Sequence, residues 1–599
     1  MKPSTTTTIR LILAIYAIAL SAMAASAQFT INGLTPVYDS KGNTYLCAVD
    51  SATLKNGKVN VTLLNTGTDF AVVNVDGVGD VKNNKATFTL NDIRYDTRVQ
   101  ISVKRKDSYL ITKSYLSFTF LPIVELSGEF GYDYTEGSVK MTLPGDIATA
   151  QNMAAKLKWR GGSTNVDGKH KRNYHIKFLN EKGKKQDRSF FGLRSDNNWL
   201  LDACQVDLTR VRNRASTDLW LDFATKPYYA ESEPKALTGV RGRFVEVFLN
   251  GEYRGIYCMT EQIDRKQMKL KKYDENAAVF HGMLWKSKEY TTSTDMWEAV
   301  PYDNTQEMWA GYEIKYPDFD DVCPTDHSLM HEVVDFVSPI KWLPTFAAQY
   351  KDVLDIPVLV DYFLFIDLLA AIDNKYGNLY WACYDQTEQR KLTPAVWDLD
   401  VAMGIGWAGY TISAEKEILE DEAAGYPALL MSLNGNTDTE FITMTRNRYK
   451  ELRNKVFTVE NISRYYLDYA NDLTRCGAAR RDSLRWSGDS DLSGAHINVW
   501  YDSKHLKEWV SQRLKFMDKK YLYSGVNDIV ADNTNFLAVE VSNGLIQVVD
   551  SGISDNDPIE IYDVNGRLLS RGIGRHIKVD SHGLLIVKCA DKVAKVLAK

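Results

Sequence analysis

Cysteine and histidine are scarce in this chain: seven and nine among 599 residues. Cys47, Cys204, Cys258, Cys323, Cys383, Cys476 and Cys589 are odd in number and widely scattered, with no Cys-x-x-Cys pair and no Cys/His spacing suited to zinc. A disulfide scaffold or a zinc centre is therefore not expected. Cys258, Cys383 and Cys589 lie in apolar, strand-like runs, where a free cysteine acts as a small buried hydrophobe. Beyond the first twenty residues no apolar stretch is long enough to cross a bilayer. A net charge of −5 leaves no excess of cations, so nucleic acid is not expected as a partner.

The N-terminus is the first positive signal. Lys2 and Arg10 precede the apolar run Leu11–Leu20, and small residues follow as far as Ala25 and Ala27. A basic start, a short apolar core and small residues before the break read as a secretory signal peptide over 1–27, with cleavage before Gln28. The mature chain is expected to be secreted or displayed at the cell surface.

Residues 28–121 alternate apolar and polar positions in short runs, Lys58–Leu64, Phe70–Val75, Ala86–Leu90 and Val99–Val103, separated by turn-forming residues. That pattern predicts an immunoglobulin-like β-sandwich without chemistry of its own. The segment 526–599 repeats the style in Phe536–Val541, Gly544–Val549, Ile559–Tyr562 and Leu584–Lys588, and predicts a second, smaller β-sandwich. With Ile561-Tyr-Asp-Val-Asn-Gly-Arg567 and the terminal Lys592–Lys599 it resembles the C-terminal sorting domains of the type IX export system of Gram-negative bacteria. That resemblance implies the periplasm or outer surface of such a cell. Surface glycans or proteins are the candidate partners of these two flanking segments.

Between them, residues 122–525 form a mixed α and β segment. Lys156–Arg160 alternates like a strand and runs into Gly161, Gly162 and Ser163, where backbone amides can approach an anion. In Asn173–Phe178 the period of two puts Tyr174, Ile176 and Phe178 on the core face and His175 and Lys177 on the other. Lys177 on the open face can reach phosphate oxygens as a point charge. Asp207–Trp220 reads as an amphipathic helix capped by Asp207, with Arg212 and Asn213 beside its apolar stripe. Two strands joined by Asn250-Gly251 form a hairpin that leads into Glu261. Asn461–Trp486 and Asp502–Tyr521 read as further helices.

A helix from Val358 to about Ile372, with Pro357 near its first turn, is apolar almost all round and therefore buried. It delivers Asp373, and Asn378 follows five residues later. A hairpin, Leu379–Tyr384 with Lys391–Trp397, then brings Asp398 and Asp400 to its return end. Singly, such residues are usually turn and capping groups. Their order is what counts: glycine loop, strand lysine, helix, hairpin, helix, Asp-x4-Asn, hairpin, Asp. It is the order of parts in protein kinases, where phosphoryl transfer needs an ammonium, hard oxygen ligands and a carboxylate at the nucleophile.

Six ordered motifs carry a closer resemblance. They are Arg160-Gly-Gly-Ser-Thr164, Asn173-Tyr-His-Ile-Lys177, Asn198-Trp-Leu-Leu-Asp202, Asn250-Gly-Glu-Tyr-Arg-Gly-Ile-Tyr257, Asp373-Asn-Lys-Tyr-Gly-Asn378-Leu-Tyr380 and Trp397-Asp-Leu-Asp400. Together, over about residues 122–523, they resemble the CotH (spore coat protein H) family of atypical, kinase-like proteins. The resemblance implies a central two-lobed α+β domain that transfers phosphate from ATP, with Mg2+, to Ser or Thr of another protein. It further implies Lys177, Gly161, Gly162, Ser163 and Glu261 as nucleotide-contacting residues. Asp373 would be the catalytic carboxylate, with Asn378 and Asp398 holding magnesium and Asp400 in second place. His-Arg-Asp and Asp-Phe-Gly are both absent, and the helix after Asp207 offers no clear glutamate to pair with Lys177, leaving Gln205, Asp207 or Asp218. Two other readings stay open on the residues: a catalytically silent surface adhesion protein of the same fold, and a hydrolase using Asp373 and Asp398 as acid and base.

Overall fold

The computed structural model describes residues 29–31, 33–54, 57–63, 70–81, 87–105, 111–146, 151–162, 164–341, 343–420, 427–489, 496–522, 537–542, 545–550, 553–563, 567–579, 583–590 and 592–598. The expected signal segment 1–27, Ser163 and the Val564–Gly566 turn lie outside the described residues. Contacts divide the chain into two units, Met1–Leu514 and Lys515–Lys599. The first unit thus takes in both the expected N-terminal sandwich and nearly all of the central segment.

The N-terminal segment consists of a three-stranded and a six-stranded sheet. Its strands include Val59–Leu63, Phe70–Val75, Thr87–Leu90 and Arg98–Arg105, close to the alternating runs in the sequence. Ile31, Val59, Val61 and Leu90 from one sheet share a core with Cys47, Val75, Ile101 and Phe118 from the other. This segment is docked on the central one. Val37, Leu46 and Ala48 pack against Ile123, Phe248 and Tyr253, and Ser40 N–H donates to Gly251 O at 2.9 Å.

Next comes a closed barrel of seven strands. Around the wall these are Ile123–Ser127, Thr135–Thr142, Asn152–Arg160, Asn173–Phe178, Asn198–Asp202, Glu252–Thr260 and Gly242–Leu249, and the last pairs with the first in parallel. Closure removes exposed strand edges. Alternate residues fill the interior, among them Leu157, Tyr174, Ile176, Leu201, Tyr257 and Met259. The opposite parity, including Lys158, His175, Leu200, Asp202 and Thr260, therefore faces outward. Asp482 tethers the barrel to the helix Ala478–Trp486, accepting from Ile256 N–H at 2.9 Å, Lys171 Nζ at 3.1 Å and Arg210 Nε at 3.1 Å. Gly255 makes that approach possible: at φ +92° it has room for no side chain, since a Cβ would lie 2.0 Å from Asp482 Oδ1.

A five-stranded antiparallel sheet follows, in the order Met308–Trp309, Tyr312–Tyr316, Met283–Ser287, Leu379–Cys383 and Thr393–Val396. The apolar helix is present as Ile356–Leu369, every residue but Pro357 buried, and Ala370 ends it at φ +49°. Two aspartates inside it are neutralised. Asp361 accepts from Arg448 Nε at 2.7 Å and from Thr225 N–H at 2.7 Å, and Asp367 pairs with the fully buried Arg513.

Several boundaries differ from the sequence expectation. The helix expected over Asp207–Trp220 is Arg212–Phe223, because Asp207 caps a preceding turn through Thr209 N–H (2.9 Å) and Arg212 N–H (2.8 Å). Asn461–Trp486 is two helices, Val459–Arg475 and Ala478–Trp486, broken at Gly477 with φ +75°. The last helix starts earlier than expected and spans Val499–Tyr521. The second unit holds a three-stranded and a four-stranded antiparallel sheet that share a core including Ile546, Val548, Ile559, Ile561, Leu585 and Val587. All described cysteines are free, and all but Cys323 are buried. No described helix is long and apolar enough to cross a membrane.

Candidate active site

A cavity of about 550 Å³ lies between the outer wall of the barrel, the helix Arg212–Phe223 and the five-stranded sheet. Strand parity explains its barrel side: Lys158, His175, Leu200, Asp202 and Thr260 all belong to the outward set. The helix contributes Asn213, Arg214 and Thr217, and the sheet contributes Lys286, Glu313, Lys315, Tyr380 and Val396.

Four of the expected acidic and amide groups line this cavity: Asp373, Asn378, Asp398 and Asp400. Asp373 sits on the short 3-10 turn Ile372–Asn374 that follows the buried helix. Its Oδ2 accepts from Asn378 Nδ2 at 2.7 Å, and the Tyr290 hydroxyl donates to its backbone oxygen at 2.7 Å and to its Oδ1. Burial holds the Asp373 carboxyl above its ordinary range, with these donors opposing. Asn374 Nδ2 donates to Trp397 O at 2.8 Å and so fastens this turn to the loop carrying Asp398. That loop is held from the helix side as well: Asn213 accepts from Leu399 N–H at 3.1 Å and donates to Asp202 Oδ2 at 3.0 Å.

Asn378 (φ +49°) and Asp398 (φ +58°) both occupy the left-handed region. Non-glycine residues rarely do so unless their surroundings impose it, and such positions concentrate at functional sites. The electrostatics are equally unusual. Burial raises the Asp398 carboxyl, Asp202 adds to the rise, and the Lys286 ammonium opposes it. Asp400 is raised well above the carboxylate range by burial and by Asp398 and Asp202. Asp202, Asp398 and Asp400 thus disfavour one another's charge, while Lys286 and Arg160 favour that of Asp398.

The one expected cation, Lys177, is placed elsewhere. Lys177 does not line the cavity. Its ammonium rests 4.3 Å from the Tyr134 ring centroid, with Asp318 and Asp320 acting on it. Register is the reason. Arg160, just before the glycines, pairs with Asn173, and Lys177 pairs with Lys156. Lys177 is therefore four residues, roughly 13 Å, from the glycine end of the strand and two residues beyond His175, which does line the cavity. Lys286 lines the cavity, as do Lys158, Lys288 and Lys315; burial brings the Lys286 ammonium down to about 8, with Asp398 acting against the fall. Neither Asp207, in an ion pair with Arg212 at 2.7 Å, nor Asp218, paired with Arg214 at 2.6 Å, engages Lys177.

Glu261 is also displaced from its expected role. Its carboxylate takes hydrogen bonds from Arg194 N–H (3.0 Å), Arg241 Nη2 (2.6 Å) and Gln267 Nε2 (3.0 Å), and it is 1% exposed. It is a structural tie between segments. Thr260 and Gln262, on either side of it, are the residues that line the cavity. Gln262 Oε1 is buried without a hydrogen-bond partner, and the apolar groups Leu200, Val240 and Val396 line the same cavity. Gly161 and Gly162 lie on the cavity rim, Gly161 at φ +114°. His175 Nδ1 shares a 2.8 Å hydrogen bond with Tyr134 OH, and burial with Arg160 and Lys177 nearby brings its imidazole down to about 3, so it is neutral at pH 7.

The same region answers a family comparison. The model described as CotH kinase protein matches residues 157–517, more than half of the chain. This chain belongs to the CotH kinase family. The match begins on the third barrel strand and ends in the helix Val499–Tyr521, so it encloses every cavity residue named above from Lys158 onward. A comparison with curated proteins returns no match.

The donor set suits the groups that a kinase uses. Among the described residues no three acidic or imidazole side chains are already gathered as a metal cage. Magnesium is commonly held by one or two carboxylates plus phosphate oxygens and water, which asks less of the protein. Asp398 with the Oδ1 left over on Asn378 is such a set, and a divalent cation would relieve the carboxylate crowding. The orphaned Gln262 Oε1, in a cavity with apolar lining groups, suits a purine amine.

Proposed function

We propose that this kinase-family protein transfers the γ-phosphoryl group of ATP to a Ser or Thr hydroxyl of another protein outside the cytoplasm. The observation that supports this most is the meeting of Asp373, Asn378 and Asp398 with Lys286 in a single cavity. Asp373 takes the proton of the acceptor hydroxyl; the Tyr290 phenol on its Oδ1 occupies the hydrogen-bonding place that this hydroxyl would take. The new acceptor O–P bond forms as the bond between Pγ and the β-phosphate oxygen breaks, and ADP leaves with the charge. Asn378 orients Asp373 through Nδ2, and Asp398 with Asn378 Oδ1 would hold Mg2+. The cation, when bound, neutralises charge across the β- and γ-phosphates. Lys286 supplies a fixed ammonium to the phosphates, and Gln262 and the apolar wall hold the base. Asp400, beside Asp398, is a further candidate for the cation. Gly161 and Gly162 bring backbone near the phosphates.

The basic-apolar-small start at residues 1–27 supports export. We read the N-terminal pair of sheets as an immunoglobulin-like sandwich, the centre as a two-lobed kinase-like domain and the C-terminal pair of sheets as a sorting-domain-like sandwich. The test is incubation of the full chain with ATP and Mg2+, followed by mapping of phosphorylated Ser and Thr on itself and on cell-surface proteins. Asp373→Ala and Asp398→Ala should both eliminate transfer while melting like the wild type. A wild type that phosphorylates nothing refutes the proposal.

A further inference from the structure

A second cavity, about 450 Å³, lies beside the first, and Trp159 lines both. Its chemistry is different. Its charged lining groups include Lys41, Arg172, Arg254 and Arg485 against Glu252 and Asp489, four cations to two anions, with Lys169 and His170, which have further partners, left out of the count. Asp489 is already engaged by His170 at 2.8 Å, and Glu252 only reaches Arg485 at 3.7 Å and Arg254 at 3.9 Å. Among these described groups positive charge is therefore in excess.

The guanidinium groups are held in place by aromatic platforms. Arg254 and Arg485 pack on one ring, their Cζ atoms 5.1 and 4.3 Å from the Trp486 centroid, and Arg172 Cζ lies 4.3 Å from the Trp159 centroid. Backbone acceptors fix them further: Arg254 Nη2 donates to His170 O at 2.6 Å and Arg485 Nε to Tyr253 O at 2.7 Å. Donors nevertheless remain unused. Arg172 is 7% exposed and its Nη1 has no hydrogen-bond partner, and neither Arg254 Nε nor Trp486 Nε1 has one. Buried N–H groups without acceptors are costly, so a site with two such arginine donors, an excess of cations and a preformed hollow is built to receive acceptor oxygens.

We infer that this second cavity binds a phosphate dianion, either free or as the phosphomonoester of a phosphorylated side chain. Arginine forks match phosphate oxygens, and a doubly negative group answers a surplus that one carboxylate would leave partly unmet. Sharing Trp159 with the catalytic cavity makes a phosphorylated residue of the acceptor protein the fitting source, a clause that rests on the kinase reading. The binding itself does not.

The experiment is calorimetric titration of the full chain, without nucleotide or magnesium, with inorganic phosphate, a short phosphoserine peptide, and the same peptide carrying Glu. Saturable binding of phosphate or the phosphoserine peptide is expected, at least tenfold tighter than the Glu peptide. Tighter binding of the phosphopeptide than of phosphate points to a protein-borne group, and equal binding to the free ion. Arg254→Gln and Arg485→Gln should each weaken binding at least tenfold with unchanged melting, whereas Lys286→Met should leave it intact. Absence of binding, equal affinity for the Glu peptide, or loss on Lys286→Met but not on Arg254→Gln overturns the assignment. Because no transfer is measured, these outcomes stand apart from the fate of the kinase proposal.

Discussion

Replacing Lys286 by Met, with Lys177→Met as its partner experiment, separates the site seen in three dimensions from the one read along the chain. Lys286 lines the candidate cavity, where Asp398 acts on it, and its ammonium, brought down to about 8 by burial, is still largely charged at pH 7. Charged hydrogen bonds to phosphate contribute about 1.5–3 kcal/mol, so Mg-ATP affinity should fall roughly 10- to 150-fold in Lys286→Met. Loss of one preorganised charge from a water-poor site costs a further factor in rate, of the order of 10²–10³ in kcat. Folding should survive, since a half-buried cation with a desolvation cost is exchanged for an apolar chain of similar length. Lys177 lies over the Tyr134 ring and does not line the cavity, and Lys177→Met should weaken Mg-ATP binding at least about fivefold less than Lys286→Met does. Calorimetric titration with Mg-ATP, paired with thermal melting, reads both. Wild-type affinity in Lys286→Met together with lost binding in Lys177→Met would refute the assignment.

Tyr290→Phe removes the hydroxyl that occupies Asp373 Oδ1, so the acceptor competes with nothing for that oxygen; a lower acceptor KM is expected in initial-rate assays, and a raised KM contradicts it. Lys171→Met breaks a fully buried ion pair and leaves Asp482 short of a partner, which should cost about 3–5 kcal/mol in denaturant unfolding; a loss below about 1 kcal/mol would show that the tether is not needed. Asp295 gives a pH signature. Burial lifts its carboxyl to about 6, above the unfolded value near 4, so the stability it confers is full below about pH 4 and is lost as pH rises through 6. Relative to wild type, Asp295→Asn should therefore gain about 1–2 kcal/mol between pH 4 and 7.5, whatever constant offset the altered contact to Trp297 adds; a difference independent of pH contradicts this.

How much of this was legible along the chain depends on how local each feature is. Asp373, Asn378, Asp398 and Asp400 lie within about thirty residues on a helix end and a hairpin, elements that local pattern defines, and all four line one cavity. Lys286 reaches it only because Met283–Ser287 pairs with Leu379–Cys383, setting Lys286 opposite Tyr380 across more than ninety residues. Its one local signal was a lysine inside the apolar run Met283-Leu-Trp-Lys-Ser287, whose other residues are all buried. Lys177 shows the limit of alternation, which gives the face of a strand but not which end meets the site. Glu261 shows the cost of a one-residue shift: its neighbours Thr260 and Gln262 face the cavity, while Glu261 turns towards Arg194 and Arg241. Asp202 stood in a recognised motif without a role, and only the closed barrel brings it beside Asp398. Helix limits erred where side chains capped turns, as Asp207 does, or where Gly477 broke a long periodic run.

The most direct measurement is transfer of labelled γ-phosphate from ATP by the purified full chain, with and without Mg2+, beside Asp373→Asn. The kinase reading predicts Mg2+-dependent label on Ser or Thr, of the chain itself or of an added cell-surface extract, and none from Asp373→Asn. Undiminished labelling by Asp373→Asn, or no labelling by the wild type under conditions where Mg-ATP binds, would contradict it.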